Sequence, residues 1–168
     1  IERTVFGEFY YSKDNGATWT KSETDTWTIP GNEKAPLFGE VKILECADGT
    51  IRLYSSWTDY GCIVYADSTD GGKTFGDVLR CPVTSPHGPT LTPNGDILYV
   101  GRYFAAPRSP DRHLAAFDLT PDGQSEMLGE IPDIPGLESH EPHAIVLEDG
   151  RILVHIRVQG QGLFTVYQ

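Results

Sequence analysis

Along the chain, β-branched and aromatic residues fall in short runs closed by Gly, Asn, Asp or Pro, and three of these runs share one plan. They are Ile43-Leu44-Glu45-Cys46-Ala47-Asp48-Gly49-Thr50-Ile51-Arg52-Leu53-Tyr54, then Thr90-Leu91-Thr92-Pro93-Asn94-Gly95-Asp96-Ile97-Leu98-Tyr99-Val100, then Ala144-Ile145-Val146-Leu147-Glu148-Asp149-Gly150-Arg151-Ile152-Leu153-Val154. Each places an Asp-Gly or Asn-Gly turn between two β-rich arms, the strongest short-range hairpin pattern. The turn glycines lie 46 and then 55 residues apart, a spacing suited to four short strands per unit. No stretch of about 12 residues or more carries the apolar period of a helix. The pattern predicts an all-β chain.

A second repeat interleaves with the first. Ser12-Lys13-Asp14-Asn15-Gly16-Ala17-Thr18-Trp19 and Ser68-Thr69-Asp70-Gly71-Gly72-Lys73-Thr74-Phe75 both read Ser-x-Asp-x-Gly-x-Thr-aromatic, 56 residues apart. A worn third copy runs from Asp118 to Gly123 without the Thr-aromatic half. If the Asp-Gly turns join strands one and two of each unit, the Ser-x-Asp-x-Gly turns join strands three and four. The expected architecture is a partial β-propeller of about three four-stranded blades out of six. Residues 1–30 would form the second half of a blade, 36–82 and 83–132 two further blades, and 138–168 an incomplete one. Such an open row leaves two end faces bare, so the chain is expected to be an internal stretch of a longer protein.

Composition narrows the partners. The 18 glycines and 12 prolines among 168 residues suit many short elements joined by turns. A net charge of −11 repels nucleic acid and anionic membrane. No run approaches the roughly 18 apolar residues of a membrane span. An anionic ligand must therefore be held by a few local arginines against the overall field. Three cysteines (Cys46, Cys62, Cys81) without CxxC spacing indicate neither a zinc site nor a disulfide framework.

In the Ser-x-Asp-x-Gly-x-Thr-aromatic segments, the carboxylate can accept backbone N–H groups of a tight turn. The Gly supplies a positive φ, and the aromatic can fill the gap between neighbouring sheets. These segments resemble the Asp-box, or BNR repeat, of the sialidase (neuraminidase) superfamily. The resemblance implies a structural role for Ser12, Asp14, Gly16, Trp19, Ser68, Asp70, Gly72 and Phe75, because these turns lie on the rim away from the family's active site. Trp19, Trp27 and Trp57 are read as inter-blade core.

The third hairpin carries chemistry. With Glu148-Asp149-Gly150 as a three-residue turn, Leu147 opposes Arg151. Counting outward then brings Glu141 opposite Arg157, so a carboxylate and a guanidinium meet at the hairpin's open end. That pair is open to a structural reading as well as a functional one. The stretch Glu141 to Arg157 resembles the sialidase block in which a Glu precedes strand one and an Arg ends strand two. The resemblance implies that Arg157 is one of three arginines gripping the carboxylate of sialic acid. It also implies that Glu141 takes the proton of a Tyr nucleophile in a retaining glycosidase. The family's Arg-Ile-Pro motif does not occur in this sequence. Its Asp acid/base, third Arg and Tyr are expected in segments beyond these 168 residues. The chain alone is expected to be inactive.

Turn-glycine alignment places Arg102 where Arg157 stands and Glu40 where Glu141 stands. Both are candidates to touch substrate hydroxyls. His87, in Ser85-Pro86-His87-Gly88-Pro89, opens an inner strand and is open to a turn-fixing role or to substrate contact. His143 and His155 share the third hairpin with Glu141, but no third ligand at a set spacing supports a metal. Arg108 and Arg112, in the polar loop 105–112, could cover a pocket mouth. No cofactor is called for, and the expected partner is a sialylated glycan or another carbohydrate. The leading expectation is a segment of an exo-α-sialidase. The rivals are a non-catalytic Asp-box propeller for glycan binding or scaffolding, and an Asp-box glycosidase acting on another sugar.

Overall fold

A computed structural model describes residues 9–22, 41–57, 61–104, 112–119 and 124–160, with Trp57 and Arg112 by backbone only. Among them there are strands and turns and no helix. A hairpin of β1 (Tyr10–Tyr11) and β2 (Thr20–Lys21) comes first. A four-stranded sheet follows, of β3 (Val41–Glu45), β4 (Ile51–Trp57), β5 (Cys62–Ser68) and β6 (Leu79–Cys81). A five-stranded sheet holds β7 (Val83–Thr84), β8 (Thr90–Leu91), β9 (Ile97–Phe104), β10 (Arg112–Leu119) and β11 (Ser125–Ile131). The last hairpin is β12 (Glu138–Val146) with β13 (Ile152–Gln159). Every pairing is antiparallel. In the five-stranded sheet the order is β11-β10-β9, with β7 and β8 sharing the far side of β9. The segment Ser85–Pro89 interrupts that innermost strand.

The three Asp-Gly and Asn-Gly turns close identically. Gly49 N–H donates to Cys46 O, Gly95 to Thr92 O and Gly150 to Leu147 O, each at 2.9 Å. The returning bonds, Cys46 N–H to Thr50 O, Thr92 to Asp96 O and Leu147 to Arg151 O, are 2.8 to 2.9 Å. Each glycine has φ between +83° and +87°, a region costly for side-chain-bearing residues. The two Ser-x-Asp-x-Gly-x-Thr segments are also alike. Thr18 and Thr74 each donate their backbone N–H and their hydroxyl to the carboxylate of Asp14 or Asp70. Ser12 Oγ accepts from Gly16 N–H, and Ser68 Oγ from Gly72 N–H. The second segment lies between β5 and β6, the third and fourth strands of its sheet.

Strand alternation builds the core. On β9, Ile97 and Tyr99 pack with Tyr54, Ile63, Tyr65 and Phe117, while Leu98 and Val100 pack with Ala144 and beside Val146 and Val154. All four β9 residues are buried, so this strand is covered on both faces and its sheet sits between the four-stranded sheet and the β12–β13 hairpin. The β12–β13 hairpin keeps an open apolar face, with Ile145 44% and Leu153 57% exposed, whereas on the four-stranded sheet Ile43 is 58% exposed but its cross-strand partner Leu53 only 2%. None of the sheets closes on itself.

The aromatics of the two repeats behave differently. Phe75 stacks on Phe9 with ring centres 5.8 Å apart, joining two sheets as expected. Trp19 does not: it is 62% exposed, and its indole N–H donates to Gly16 O of its own turn. Its one polar group is satisfied locally, which lays the ring over the turn. Trp27, the Trp57 side chain, Glu40, the loop residues 105–111, the third repeat copy beyond Leu119 and the last strand expected at 163–167 lie outside the described residues.

Candidate functional site

The β12–β13 hairpin departs from the expected register at its open end. From the turn outward the pairs run Val146↔Ile152, Ile145↔Leu153, Ala144↔Val154 and His143↔His155. The ladder then shifts, and His140 rather than Glu141 faces Arg157. Glu141 and Pro142 together oppose the single residue Ile156, which is a β-bulge. Pro142 cannot donate to the ladder, and Glu141 takes φ +48°, uncommon for a residue with a side chain. The extra residue nevertheless brings the carboxylate to the guanidinium. Arg157 Nη1 donates to Glu141 Oε1 at 2.6 Å. Both side chains keep about half their surface in solvent, 52% for Arg157 and 41% for Glu141. An ion pair this exposed adds little to stability.

Beside the pair, Arg102 reaches from β9 to the neighbouring strand. Its Nη2 donates to Ser139 O at 2.8 Å and also to His140 Nδ1. His140 Nε2 stands 3.1 Å from Glu138 Oε2. Partial burial, and then the Arg102 charge, hold the His140 pKa below its ordinary value, so the ring is neutral at pH 7. His87 lies edge-on to His143 with ring centres 5.2 Å apart, and its backbone carbonyl accepts the Tyr99 hydroxyl. Among the described residues no group of three or more His, Cys, Asp or Glu is arranged to hold a metal ion. Of the site residues read from the sequence, Glu141, Arg157 and Arg102 come together, and His87 adjoins them through His143. Ser85, Glu138 and His140 were not singled out. The one sequence signal for them is adjacency, since each lies within three residues of a candidate.

Two cavities flank the β9 sheet. One, of about 380 Å³, is lined by Arg102, His113, Asp133, Glu138 and the backbone around Pro135. Its two acids share the lining with one arginine and one histidine. The other, of about 360 Å³, lies at the turn ends of the first two hairpins and holds Asp48, Asp67, Asp96 and Asp118 with Arg52 as its one cation. Arg52 is already bound by Asp67 through two bonds of 2.6 and 2.7 Å. Burial, then Asp96 and Glu126, push the Asp118 carboxyl pKa up. A carboxylate ligand is repelled from this second cavity.

No family model matches the chain, and no curated protein sequence matches it significantly. Among solved structures it is similar to the NanB sialidase of Streptococcus pneumoniae. The K499G mutant of that protein aligns with a TM-score of 0.56 at 21% identity, over 92% of this chain. The complex of the sialidase with 2-[(3-chlorobenzyl)ammonio]ethanesulfonate gives 0.57 at 20% identity, also over 92%. NanB with Optactamide gives 0.58 at 22%, over 91%. In each case the chain spans 24% of the neighbour's length. The fold is therefore sialidase-like and all-β, a part of a propeller whose sheets follow one another in a row.

Proposed function

We propose that the chain is a segment of an exo-α-sialidase, hydrolysing terminal α-linked sialic acid with retention. In this reading Arg157 binds the substrate carboxylate and Glu141 accepts the proton of a tyrosine nucleophile supplied from outside these 168 residues. The two Ser-x-Asp-x-Gly-x-Thr turns are Asp-boxes with a structural role. The observation that carries the reading is the Glu141–Arg157 contact at the open end of the β12–β13 hairpin. A planar guanidinium suits a carboxylate through two parallel N–H···O bonds.

The chemistry also fits a tyrosine partner. An anionic nucleophile would be repelled by the acid on the anomeric carbon of sialic acid, whereas tyrosine is neutral until its proton leaves. The test uses the complete gene product that carries this chain and an aryl sialoside. Arg157→Ala is expected to raise KM and lower kcat/KM, and Glu141→Gln chiefly to depress kcat. Wild-type kinetics in both variants would remove the assignment. Calorimetric binding of sialic acid without hydrolysis would instead favour a glycan-binding module.

A further inference from the structure

We propose that Arg102 and Ser85 are positioning residues that clamp the two flanks of the β12 bulge and so turn the Glu141 carboxylate onto Arg157. The inference rests on the reading of Glu141 as the proton acceptor, and it gives Arg102 a task other than touching substrate.

One clamp is Arg102. A guanidinium carries donors only and does not lose its proton in a protein, so His140 Nδ1 must be an acceptor. The ring proton then sits on Nε2, where it faces Glu138. Arg102 thus fixes the backbone at Ser139, through its carbonyl, and the tautomer of His140, through its ring. The second clamp is Ser85, whose hydroxyl donates to Pro142 O at 2.9 Å. Ser85 is 3% exposed and is itself anchored, since its carbonyl accepts from Ser56 Oγ at 3.0 Å and shares the single Tyr99 hydroxyl proton, at 3.1 Å, with His87 O. Tyr99 belongs to the main core. The clamp is therefore rooted in two sheets before it reaches the third.

Between the clamped residues 139–140 and 142 lies only Glu141. Its left-handed backbone is costly for a residue that bears a side chain, and such a conformation persists where the surroundings over-determine it. The crossing bonds provide that determination. Pro142 keeps this stretch from pairing regularly in any case, but without the crossing bonds its flanks can shift, and Glu141 would no longer be aimed at Arg157.

The test compares Ser85→Ala and Arg102→Met with the conservative Ser85→Thr and Arg102→Lys in the complete gene product. Crystal structures of the first two are expected to show the Arg157–Glu141 contact opened beyond about 4 Å. In aryl-sialoside kinetics they are expected to lower kcat about 10- to 100-fold with little change in KM, and to add nothing to Glu141→Gln. Ser85→Thr keeps the hydroxyl and should restore most of kcat. It also serves where the alanine variant fails to fold, as Arg102→Lys does for methionine. An unchanged Glu141–Arg157 contact in the variants would overturn the proposal. So would a KM effect of Arg102→Met that simply adds to Glu141→Gln, the behaviour of a substrate contact. If the wild type cleaves no sialoside, the functional reading fails alone, and the crystallographic comparison still decides the clamp.

Discussion

Arg157 Nη1 lies 2.6 Å from Glu141 Oε1 although the residue across the ladder from Arg157 is His140. The carboxylate reaches its partner through a bulge rather than by direct opposition, and Glu141 bears the left-handed backbone that the bulge demands. Glycine occupies that region without penalty. Glu141→Gly and Glu141→Ala remove the same ion pair, but only alanine retains a Cβ at positive φ. Glu141→Gly is expected to be the more stable of the two by about 1 kcal/mol, measured by urea unfolding. Equal stability, or a more stable alanine variant, would contradict the left-handed conformation.

The hairpin turns, the repeated Ser-x-Asp-x-Gly-x-Thr segments and the all-β class were legible because each is written in local chemistry. Gly150 at the third turn position and Thr74 four residues after Asp70 are local signals. The bulge was not legible from counting. Stepping outward from Leu147↔Arg151 assumes an unbroken ladder, and Pro142 is what breaks it. That signal was present in the sequence, since proline cannot donate to a ladder. The Arg102 and Ser85 bonds to β12 join residues 37 and 57 positions apart. Contacts between sheets have no spacing rule that a single sequence reveals. Trp19 carried the right residue type for inter-sheet packing, yet its indole N–H found an acceptor three residues back.

The second prediction concerns Arg52, whose side chain is 2% exposed and tied to Asp67 by two charge-assisted bonds. The guanidinium also lies over the Tyr65 ring, 4.8 Å from its centre. Removing the carboxylate leaves a buried charge without its counterion, whereas removing the charge leaves only a half-buried acid. Asp67→Ala is expected to cost about 3 kcal/mol. Arg52→Met should cost less, because its chain still packs against Tyr65. The double variant should be more stable than Asp67→Ala alone. Chemical denaturation of the three proteins checks the order, and a single-variant cost below about 1 kcal/mol would mean the pair is effectively solvated.

A third prediction follows from the two aspartate turns. Hydrogen bonds from the Thr18 hydroxyl and amide, then from Ser12, lower the Asp14 pKa from 3.8 to about 2. Asp70 is depressed likewise, led by the Thr74 hydroxyl and amide. A carboxylate whose folded pKa lies below its unfolded one stabilises the fold at pH values above the unfolded pKa. That contribution fades as pH falls toward the folded value. The Asp14 turn should therefore hold its share of stability above about pH 4 and lose it between about pH 4 and pH 2, and the Asp70 turn should lose its share over an interval that reaches lower. Asp14→Asn and Asp70→Asn should flatten the melting temperature against pH over that interval. Thr74→Val should lower the melting temperature at pH 7 and narrow the acid transition. A pH profile identical to wild type in the Asp70→Asn variant would show that the carboxylate hydrogen bonds do not persist in solution.

The fourth prediction tests the close approach that brings Ser85 to β12. Gly101 lies on β9, opposite Ala115 of β10, with β7 paired along the other side of β9. A Cβ at Gly101 would stand 2.4 Å from Val83 Cγ2 and 2.8 Å from Thr84 O. Both neighbours are buried, and the second is backbone, so it cannot rotate away. Gly101→Ala must push β7 outward and is expected to cost about 1–3 kcal/mol. Because Ser85 directly follows Thr84, the same displacement should draw its hydroxyl away from Pro142 O. The expected consequence is a weakened Glu141–Arg157 contact about 40 residues along the chain. Gly129 on β11 provides the comparison, since a Cβ there meets nothing within 4 Å. Gly129→Ala is expected to be neutral or stabilising by about 0.4–1 kcal/mol. Urea unfolding of both variants, with a crystal structure of Gly101→Ala, separates the two effects. A Gly101→Ala protein as stable as wild type would mean that β7 is not held against β9, and the root of the Ser85 clamp would be lost with it.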